Sequence, residues 1–289
     1  MWGDLLARTE MAEIPNVQLN VSSHAENVLL VRQALNGLAE TIHLDPLELN
    51  DISTAVSEAC NNVALHAYDS ADGPLELEIY VGPALLTVVV RDHGVGIHPR
   101  IDDESGGIGL PIMLALAQSV EFHDLDGDGT EVRLEFAITA RAAELERALP
   151  GAPALAPVNR DGIADDVTVL TLAPAKLGRT VLPRLLSALA ARAFFSTDRI
   201  SDAQLLADAL VAHSEETVNG GQLNIDINVR PRALELRLGP LQTGRTSELV
   251  GDGASGGLGL LLARLAESHE VRSAATGDVL ALRLTDNGA

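Results

Sequence analysis

Glu58 and Asn62 lie four residues apart in the stretch EACNNVALHAY, whose other residues are mostly apolar. On a helix each residue turns by about 100°, so these two side chains fall close together. They lie well away from a stripe formed by Leu49, Ile52, Val56, Cys60 and Val63. Either this polar face is solvated, or it faces a site that needs a charge and an amide side by side.

A second carboxylate, Asp92, stands at the end of a predicted buried strand in VVVRDHGVGI and is followed by Gly94 and Gly96. A carboxylate held at a strand end can accept a hydrogen bond from an exocyclic amine such as the adenine amino group. The glycines let the backbone approach a flat ring closely. The alternative interpretation is an ordinary turn of the D-x-G type.

Two further stretches have residue types that suit a phosphate-bearing ligand. SGGIGL (105–110) opens a predicted helix, where free backbone N–H groups and the helix dipole form a phosphate cradle. DGDGTEVRLEF places Gly129 and Thr130 before a strand, where the hydroxyl could meet a ligand. A hairpin turn explains this last pair equally well.

The elements that position these residues follow from hydrophobic pattern and capping. Ser23 and Glu26 have the spacing of a capping box, which predicts a helix after a strand over 17–22. Asp45 as N-cap and Pro46 at the first helical position predict a second helix that runs to about residue 67. The pattern also predicts strands over 75–81, 85–91 and 131–138 and a helix over 109–120.

The second half of the chain repeats the first. After an Ala- and Pro-rich stretch, the pattern predicts strands over 167–174, 222–229 and 233–239 and helices over 182–194 and 200–214. SGGIGLPIMLALA and SGGLGLLLARLA begin 150 positions apart, at Ser105 and Ser255, and Asp208 follows Glu58 by the same interval. These matches predict a tandem duplication, unless low-complexity Leu, Ala and Gly text coincides by chance.

Composition narrows the function class. The 289 residues suggest about two domains, and 46% hydrophobic residues suffice for packed cores. A net charge of −21 argues against nucleic acid or an anionic membrane and is compatible with a basic protein partner. The single cysteine excludes an intrachain disulfide and a cysteine-based metal cluster. No signal peptide is recognisable and no apolar run approaches roughly 18 residues, so we expect a soluble cytoplasmic protein without a membrane segment.

The four motif stretches, in this order, resemble the N, G1, G2 and G3 boxes of the GHKL ATPases over residues 17–138. Within that group, E-A-C-N-N…H-A-Y most resembles the bacterial anti-sigma-factor serine kinases. The resemblance implies an α/β fold of tandem two-layer sandwiches of the Bergerat type, each a mixed, mostly antiparallel sheet covered on one face by helices. The corresponding domains are a tail (1–16), an ATP-binding domain (17–140), a linker (141–165) and a degenerate GHKL-like domain (166–289).

The resemblance also implies roles for individual residues, with ATP and Mg²⁺ as cofactors. Glu58 would be the general base that activates a hydroxyl, Asn62 would ligate Mg²⁺, and Asp92 would recognise adenine. Gly94 and Gly96 would shape the ring pocket, Gly107 and Gly109 would cradle phosphates, and Thr130 would lie near the adenine. The remaining nucleotide-site residues would be Asn61, His66, Ile97, Gly106, Ile108 and Leu110, with a lid over 97–105 in which Arg100 could contact phosphate or a partner. No Walker lysine is expected in this family.

The second half lacks most of these residues. Asp208 and Ala212 match Glu58 and Asn62, Pro240 matches Asp92, and Asp278 replaces the threonine of the last box. We therefore expect this half to be unable to hold Mg·ATP, unless an alignment gap of a few residues restores a weak site. Because kinases of this family are commonly dimers, the fused copies suggest an intramolecular pseudo-dimer, and a homodimer of the whole chain is possible.

The implied function is an anti-sigma switch protein that binds a sigma factor and phosphorylates a serine or threonine on an antagonist (anti-anti-sigma) protein. A non-catalytic alternative is an ATP-gated module that sequesters a partner without phosphotransfer. A third possibility, the catalytic domain of a sensor histidine kinase, is weaker because no dimerisation helix with a phospho-acceptor histidine is recognisable. Neither direct nucleic-acid binding nor membrane binding is expected.

Overall fold

The computed structural model describes residues 14–68, 72–94, 108–125, 127, 129–139, 149, 167–218, 221–250 and 257–286. Both halves contain strands and helices in a similar order. In the first half these are β1 (Val17–Ser22), α1 (Val28–Ile42), α2 (Pro46–Asn62), β2 (Pro74–Val81), β3 (Leu85–Asp92), α3 (Gly109–Leu116), β4 (Ser119–Asp124) and β5 (Thr130–Ala137). In the second half they are β6 (Val167–Leu172), α4 (Gly178–Arg192), α5 (Thr197–Thr217), β7 (Leu223–Arg230), β8 (Ala233–Leu241), α6 (Arg245–Val250), α7 (Gly257–Leu265), β9 (Ser268–Ala274) and β10 (Gly277–Thr285).

Over the described ranges the ten strands form one antiparallel sheet in the order β4-β5-β3-β2-β1-β6-β7-β8-β10-β9. Alternate strand residues such as Leu19, Leu77 and Val88 pack with buried helix residues in one hydrophobic core. The intervening positions carry polar side chains, including Gln18 and Glu78. The predicted α/β class with a mostly antiparallel sheet is therefore confirmed.

The two halves meet along β1 and β6 in the middle of this sheet. Val17 pairs with Leu172 and Asn20 with Val169, so the two equivalent strands run antiparallel, as they would around a two-fold axis. Helices α1 and α4 pack against each other above this junction. A Cβ added at Gly37 would lie 2.7 Å from the Thr180 carbonyl oxygen, so the helices approach closely there. The halves thus share one sheet and one core.

The predicted start of α2 is confirmed. The Asp45 carboxylate accepts a hydrogen bond from the Leu47 N–H at 2.8 Å, and Pro46 opens the helix. The predicted stripe faces inward: Ile52, Val56, Cys60 and Val63 are buried, and Leu49 is partly buried. The α-helix ends at Asn62 and continues as a π-helical turn over Val63–Ala67, a local feature that the apolar periodicity does not distinguish.

Two local predictions are wrong. Ser23 and Glu26 form no capping box, because a 3₁₀ turn (Ala25–Asn27) precedes α1 and the Ser23 hydroxyl accepts a hydrogen bond from the Gly73 N–H at 3.2 Å. Helix α3 ends at Leu116 rather than at position 120, and β4 follows it. In β4, Val120 and Phe122 pack against the core at the two-residue spacing of a strand. No helix among the described residues is long and apolar enough to cross a membrane.

Candidate functional site

The polar pair on α2 faces the start of α3. A Cβ added at Gly109, the first residue of α3, would lie 3.0 Å from Glu58 Oε2 and 3.7 Å from Asn62 Oδ1. Both side chains are partly exposed, so the face is neither sealed in the core nor directed away from the molecule. A carboxylate and an amide therefore border a helix N-terminus, where backbone N–H groups favour an anion.

Asp92 is a buried carboxylate with one oxygen left over. Its side chain is 1% exposed, and Oδ1 accepts a hydrogen bond from the Gly94 N–H at 2.9 Å. Oδ2 is buried and has no hydrogen-bond partner among the described residues. Burial raises the pKa of this carboxyl, while the backbone N–H groups of Gly94 and Thr130 and the nearby His93 lower it. An unpaired buried acceptor is costly, so this oxygen fits a ligand with an N–H donor, such as the adenine amino group.

Two glycines allow the chain to pack tightly around Asp92. A Cβ at Gly94 would lie 1.9 Å from the carbonyl oxygen of Ala67, in the π turn. Gly129 has a φ of +115°, and a Cβ there would lie 1.9 Å from the Asp92 carbonyl oxygen. Thr130 follows it and is buried at the start of β5. The Asp92 turn is therefore fixed between the end of α2 and the start of β5.

The other predicted residues lie at varied places. Asn61 and Leu110 are partly buried, whereas His66 and Ile108 are exposed, and none of these four has a contact that assigns it a role. Gly96, Ile97, Gly106, Gly107 and the predicted lid over 97–105 with Arg100 lie outside the described residues. The described residues contain no cluster of three or more His, Cys, Asp or Glu side chains suited to a metal. Mg²⁺ bound to a nucleotide needs few protein ligands, so a single amide oxygen such as that of Asn62 fits it.

The corresponding region of the second half also contains a buried carboxylate, but on the neighbouring strand. Asp278, at the start of β10, is 1% exposed. Its Oδ2 accepts a hydrogen bond from the Gly244 N–H at 2.9 Å, and its Oδ1 accepts one from the Ser273 hydroxyl at 2.8 Å. Both oxygens are thus bonded within the protein, in contrast to those of Asp92.

The backbone identifies the residue that takes the place of Asp92. A Cβ at Gly277 would lie 2.5 Å from the Leu241 carbonyl oxygen, just as one at Gly129 would meet the Asp92 carbonyl. Relative to β10, Leu241 therefore takes the place of Asp92, one residue beyond the sequence match at Pro240, and a register shift in the pairing of β8 with β10 accounts for the extra residue. A single-residue offset of this kind cannot be seen in the sequence because the strand residues there are not distinctive.

The cleft of the second half is nearly filled. Leu241, Leu258 and Leu280 line a cavity of about 10 Å³, enough for one water molecule and far too small for a nucleotide. Thr246, on the short helix α6, is buried and lines the same cavity. Asp208 and Ala212, the counterparts of Glu58 and Asn62 by sequence, are exposed on α5.

Sequence reasoning assigned no role to Tyr68, Ala67 or His93, although all three contact the Asp92 turn. Tyr68 stands in the H-A-Y stretch, and its hydroxyl accepts a hydrogen bond from the His93 N–H at 2.9 Å. The aromatic residue after a polar helix was visible in the sequence. The π turn that places it was not, because a π turn has no distinct apolar period.

A carboxylate and an amide therefore border a helix N-terminus in the first half, and a second, buried carboxylate lies at the end of β3. Residues 21–136 match the family model described as the histidine kinase-like ATPase domain. The chain belongs to this GHKL-like family, and its relatives include proteins named as anti-sigma F factors and as a serine-protein kinase.

Three relatives illustrate the likeness. An anti-sigma F factor of a Thermoanaerobacter species is 30% identical over 131 residues, 41% of this chain and 90% of its own length. An anti-sigma F factor of Clostridium beijerinckii is 32% identical over 38% of this chain and 85% of its own length. The serine-protein kinase RsbW of Halalkalibacterium halodurans is 29% identical over 38% of this chain and 77% of its own length.

A solved structure described as crystal form III of TP0453 aligns over 95% of this chain and 92% of its own length. Its TM-score is 0.35 and its sequence identity is 10%, a likeness too weak to inform the function.

Proposed function

We propose that this protein is an ATP-dependent protein serine/threonine kinase of the anti-sigma type, which sequesters a sigma factor and phosphorylates an antagonist protein. The observation that best supports the proposal is the position of Glu58. Its carboxylate lies beside Asn62 and against the first residue of α3, where a Cβ added at Gly109 would lie 3.0 Å from Glu58 Oε2. A site that only bound nucleotide would need no carboxylate next to the phosphate cradle.

The proposed roles belong to residues of α2, β3 and the start of α3. Asp92 Oδ2 accepts the adenine amino hydrogen and so fixes the base at the strand end. Asn62 provides an oxygen for Mg²⁺, and the N–H groups at the start of α3 hold phosphate oxygens. Mg·ATP supplies the electrophilic γ-phosphate. The Glu58 carboxylate accepts the proton of the incoming serine hydroxyl. The loss of this proton makes the serine oxygen a better nucleophile.

The partners follow from the relatives, which are named as anti-sigma factors and a serine-protein kinase. A sigma factor as ligand would place the protein in the cytoplasm. We take the β1–β6 and α1–α4 junctions as an intramolecular pseudo-dimer in which only the first half holds nucleotide. The second half then serves as a scaffold or partner surface, and its filled cleft supports this role.

Nucleotide titration and labelled ATP test the proposal. Calorimetry with Mg·ATP is expected to give one site per chain, and two sites would contradict the loss of binding in the second half. Incubation with γ-labelled ATP and candidate antagonist proteins, encoded near the gene or co-purified with the protein, is expected to label a serine or threonine. Label on a histidine, or no heat of binding, would contradict the proposal.

A second candidate is an ATP-gated regulator that binds its partner without transferring phosphate. The occupied cleft of the second half favours it, because one copy of this fold has already kept its shape without a nucleotide site. Tight binding of sigma factor that depends on ATP, together with no label on any antagonist, would select this function.

A further inference from the structure

We propose that Tyr68 is a positioning residue for adenine recognition: its hydroxyl forms a hydrogen-bonded rung between β2 and β3 that holds the Asp92 carboxylate toward the base. This inference rests on the proposed function, because it assumes that Asp92 reads adenine. It adds a determinant of base specificity that does not itself touch the nucleotide.

The rung stands where the two strands would otherwise continue to pair. Across β2 and β3, Leu75 pairs with Asp92, so the next pair in register is Pro74 and His93. Their backbone groups bind the phenol instead: the Tyr68 hydroxyl accepts from the His93 N–H at 2.9 Å and donates to the Pro74 carbonyl at 2.7 Å. The Tyr68 hydroxyl therefore bridges the backbones of β2 and β3 at the position directly after Asp92.

The phenol ring has a fixed seat. A Cβ added at Gly73 would lie 2.1 Å from the Tyr68 ring, so the ring packs directly on that glycine. Gly73 is itself held by Ser23, which donates its backbone N–H to the Gly73 carbonyl at 2.8 Å and accepts from the Gly73 N–H at its hydroxyl. The Ser23 hydroxyl thus supports the floor beneath Tyr68 instead of capping a helix.

The π turn brings Tyr68 to this seat. Tyr68 follows the turn Val63–Ala67, and the Ala67 carbonyl oxygen packs against Gly94 on the other side of Asp92. The end of the helix that carries Glu58 therefore clamps the Asp92 turn at two points, one through Ala67 and one through Tyr68. The positions of the base-reading and phosphate-facing groups are coupled through this clamp.

The hydroxyl keeps its proton in this setting. Burial raises the pKa of Tyr68 to about 12, with the negative charges of Asp92 and Glu76 acting in the same direction and the hydrogen bond from His93 opposing them. At neutral pH the phenol is neutral, so it can donate to Pro74 and accept from His93 at the same time.

The second half lacks the rung. Val218 follows α5 at the position that corresponds to Tyr68 at the 150-residue interval of the repeat, and it forms a direct β-bridge with Leu241. The Gln242 N–H donates to the Thr217 carbonyl at 2.6 Å. There the segment after α5 pairs directly with β8, whereas a phenol hydroxyl lies between the strands of the first half, and no buried carboxylate oxygen among the described residues of the second half lacks a partner.

The test compares Tyr68→Phe with Tyr80→Phe. These are the only two tyrosines of the chain, and each donates its hydroxyl proton to a protein oxygen; that of Tyr80 goes to Glu78 Oε2 at 2.8 Å, on β2. Affinities for ATP and ITP are measured by calorimetry with the full-length protein and Mg²⁺. ITP carries an oxygen in place of the adenine amino group, so it cannot donate the amino hydrogen to Asp92.

We expect Tyr68→Phe to weaken ATP binding about 3- to 10-fold, the effect of one hydrogen bond, and to leave ITP binding unchanged, so that the preference for ATP narrows. Tyr80→Phe should leave both affinities at the wild-type values. If wild type prefers ATP and Tyr68→Phe keeps the full preference, or loses both nucleotides equally, the positioning role is wrong. If wild type binds neither nucleotide or shows no preference, the proposed function itself fails.

Discussion

The two halves of this protein place a buried carboxylate over the same backbone turn, but they bring it from different strands. In the first half Asp92, at the end of β3, binds the Gly94 N–H and leaves Oδ2 without a partner among the described residues. In the second half Asp278, at the start of β10, binds both the Gly244 N–H and the Ser273 hydroxyl.

The different hydrogen-bond partners of Asp92 and Asp278 distinguish an acceptor that only stabilises the fold from one that can also bind a ligand. A turn between the third strand and the following helix needs an acceptor for its exposed N–H, and either strand can provide one. Only an acceptor with spare capacity can also read a ligand. The second half uses its carboxylate entirely for structure and fills the adjoining space with Leu241 and Leu258. Among the described residues of this half, no buried carboxylate oxygen lacks a hydrogen-bond partner, although the buried hydroxyls of Thr171 and Thr246 do.

The largest expected effect distinguishes the two long helices. Glu58→Gln should lower the rate of phosphotransfer by about 10²- to 10⁴-fold, because the general base is lost, and should leave the Kd for Mg·ATP nearly unchanged. Asp208→Asn, at the matching position on α5, should leave both unchanged because Asp208 is exposed and the cavity beside α5 has a volume of only about 10 Å³. Single-turnover transfer of labelled phosphate to the antagonist measures the rate, and calorimetry measures the Kd.

Equal loss of transfer in the Asp208→Asn variant would show that the second half takes part in catalysis, and the contrast between the helices would then be wrong. Unchanged transfer in Glu58→Gln would remove the base from the mechanism and leave the ATP-gated regulator as the better account.

Removal of the two carboxylates tests the central comparison. Asp92→Ala should weaken Mg·ATP binding by about 10- to 150-fold, the range for loss of a hydrogen bond to a charged group. Asp278→Ala should leave the affinity unchanged. The free energy of unfolding should show the reverse order. Asp278→Ala deprives two protein donors of a charged acceptor and should cost about 1–3 kcal/mol.

Asp92→Ala should cost less, because it also removes a carboxylate whose burial raises its pKa and so disfavours the charged form. Calorimetry and urea unfolding without nucleotide measure the two quantities. If Asp278→Ala lost nucleotide binding while Asp92→Ala lost only stability, the assignment of the two carboxylates would be reversed.

Features that depend on the spacing of residue types along the chain could be predicted from the sequence. Features that depend on how closely distant segments approach each other could not. The helix with Glu58 and Asn62 on its polar face follows from periodicity, and Asp45 as its N-cap follows from residue type. The free oxygen of Asp92 depends on which backbone N–H groups reach it, and no local pattern encodes that. The strand β4 was hidden because apolar residues in ALAQSVEF fit a helix period as well as a strand period.

The position of Leu241 and the rung formed by Tyr68 were beyond sequence reasoning for the same reason. Both depend on contacts between segments distant in the chain: Gly277 with Leu241, and the Tyr68 hydroxyl with His93 and Pro74. Resemblance to a family could place the nucleotide boxes in order along the first half, but it could not show these contacts.

The smallest expected effect concerns the junction that makes the two halves one body. Gly37→Ala would place a methyl group 2.7 Å from the Thr180 carbonyl oxygen and the Val181 α-carbon, both backbone atoms of the other half. Since neither can move without displacing α4, we expect a loss of about 1–3 kcal/mol in the free energy of unfolding, typical of overpacking. Gly178→Ala is the matched control: the atoms nearest to its methyl group would belong to the side chains of Val211 and Leu223, not to backbone. A helical alanine is favoured over glycine by about 0.5–1 kcal/mol, so the free energy of unfolding of this variant should fall little or rise slightly.

Urea unfolding followed by circular dichroism measures the stability of both variants, and a single transition is expected in each because one core spans the junction. Two separated transitions in wild type would contradict a single folding unit, and so would an unaltered midpoint in Gly37→Ala. Either result would mean that the halves are stable independently, as neighbours rather than as parts of one folding unit.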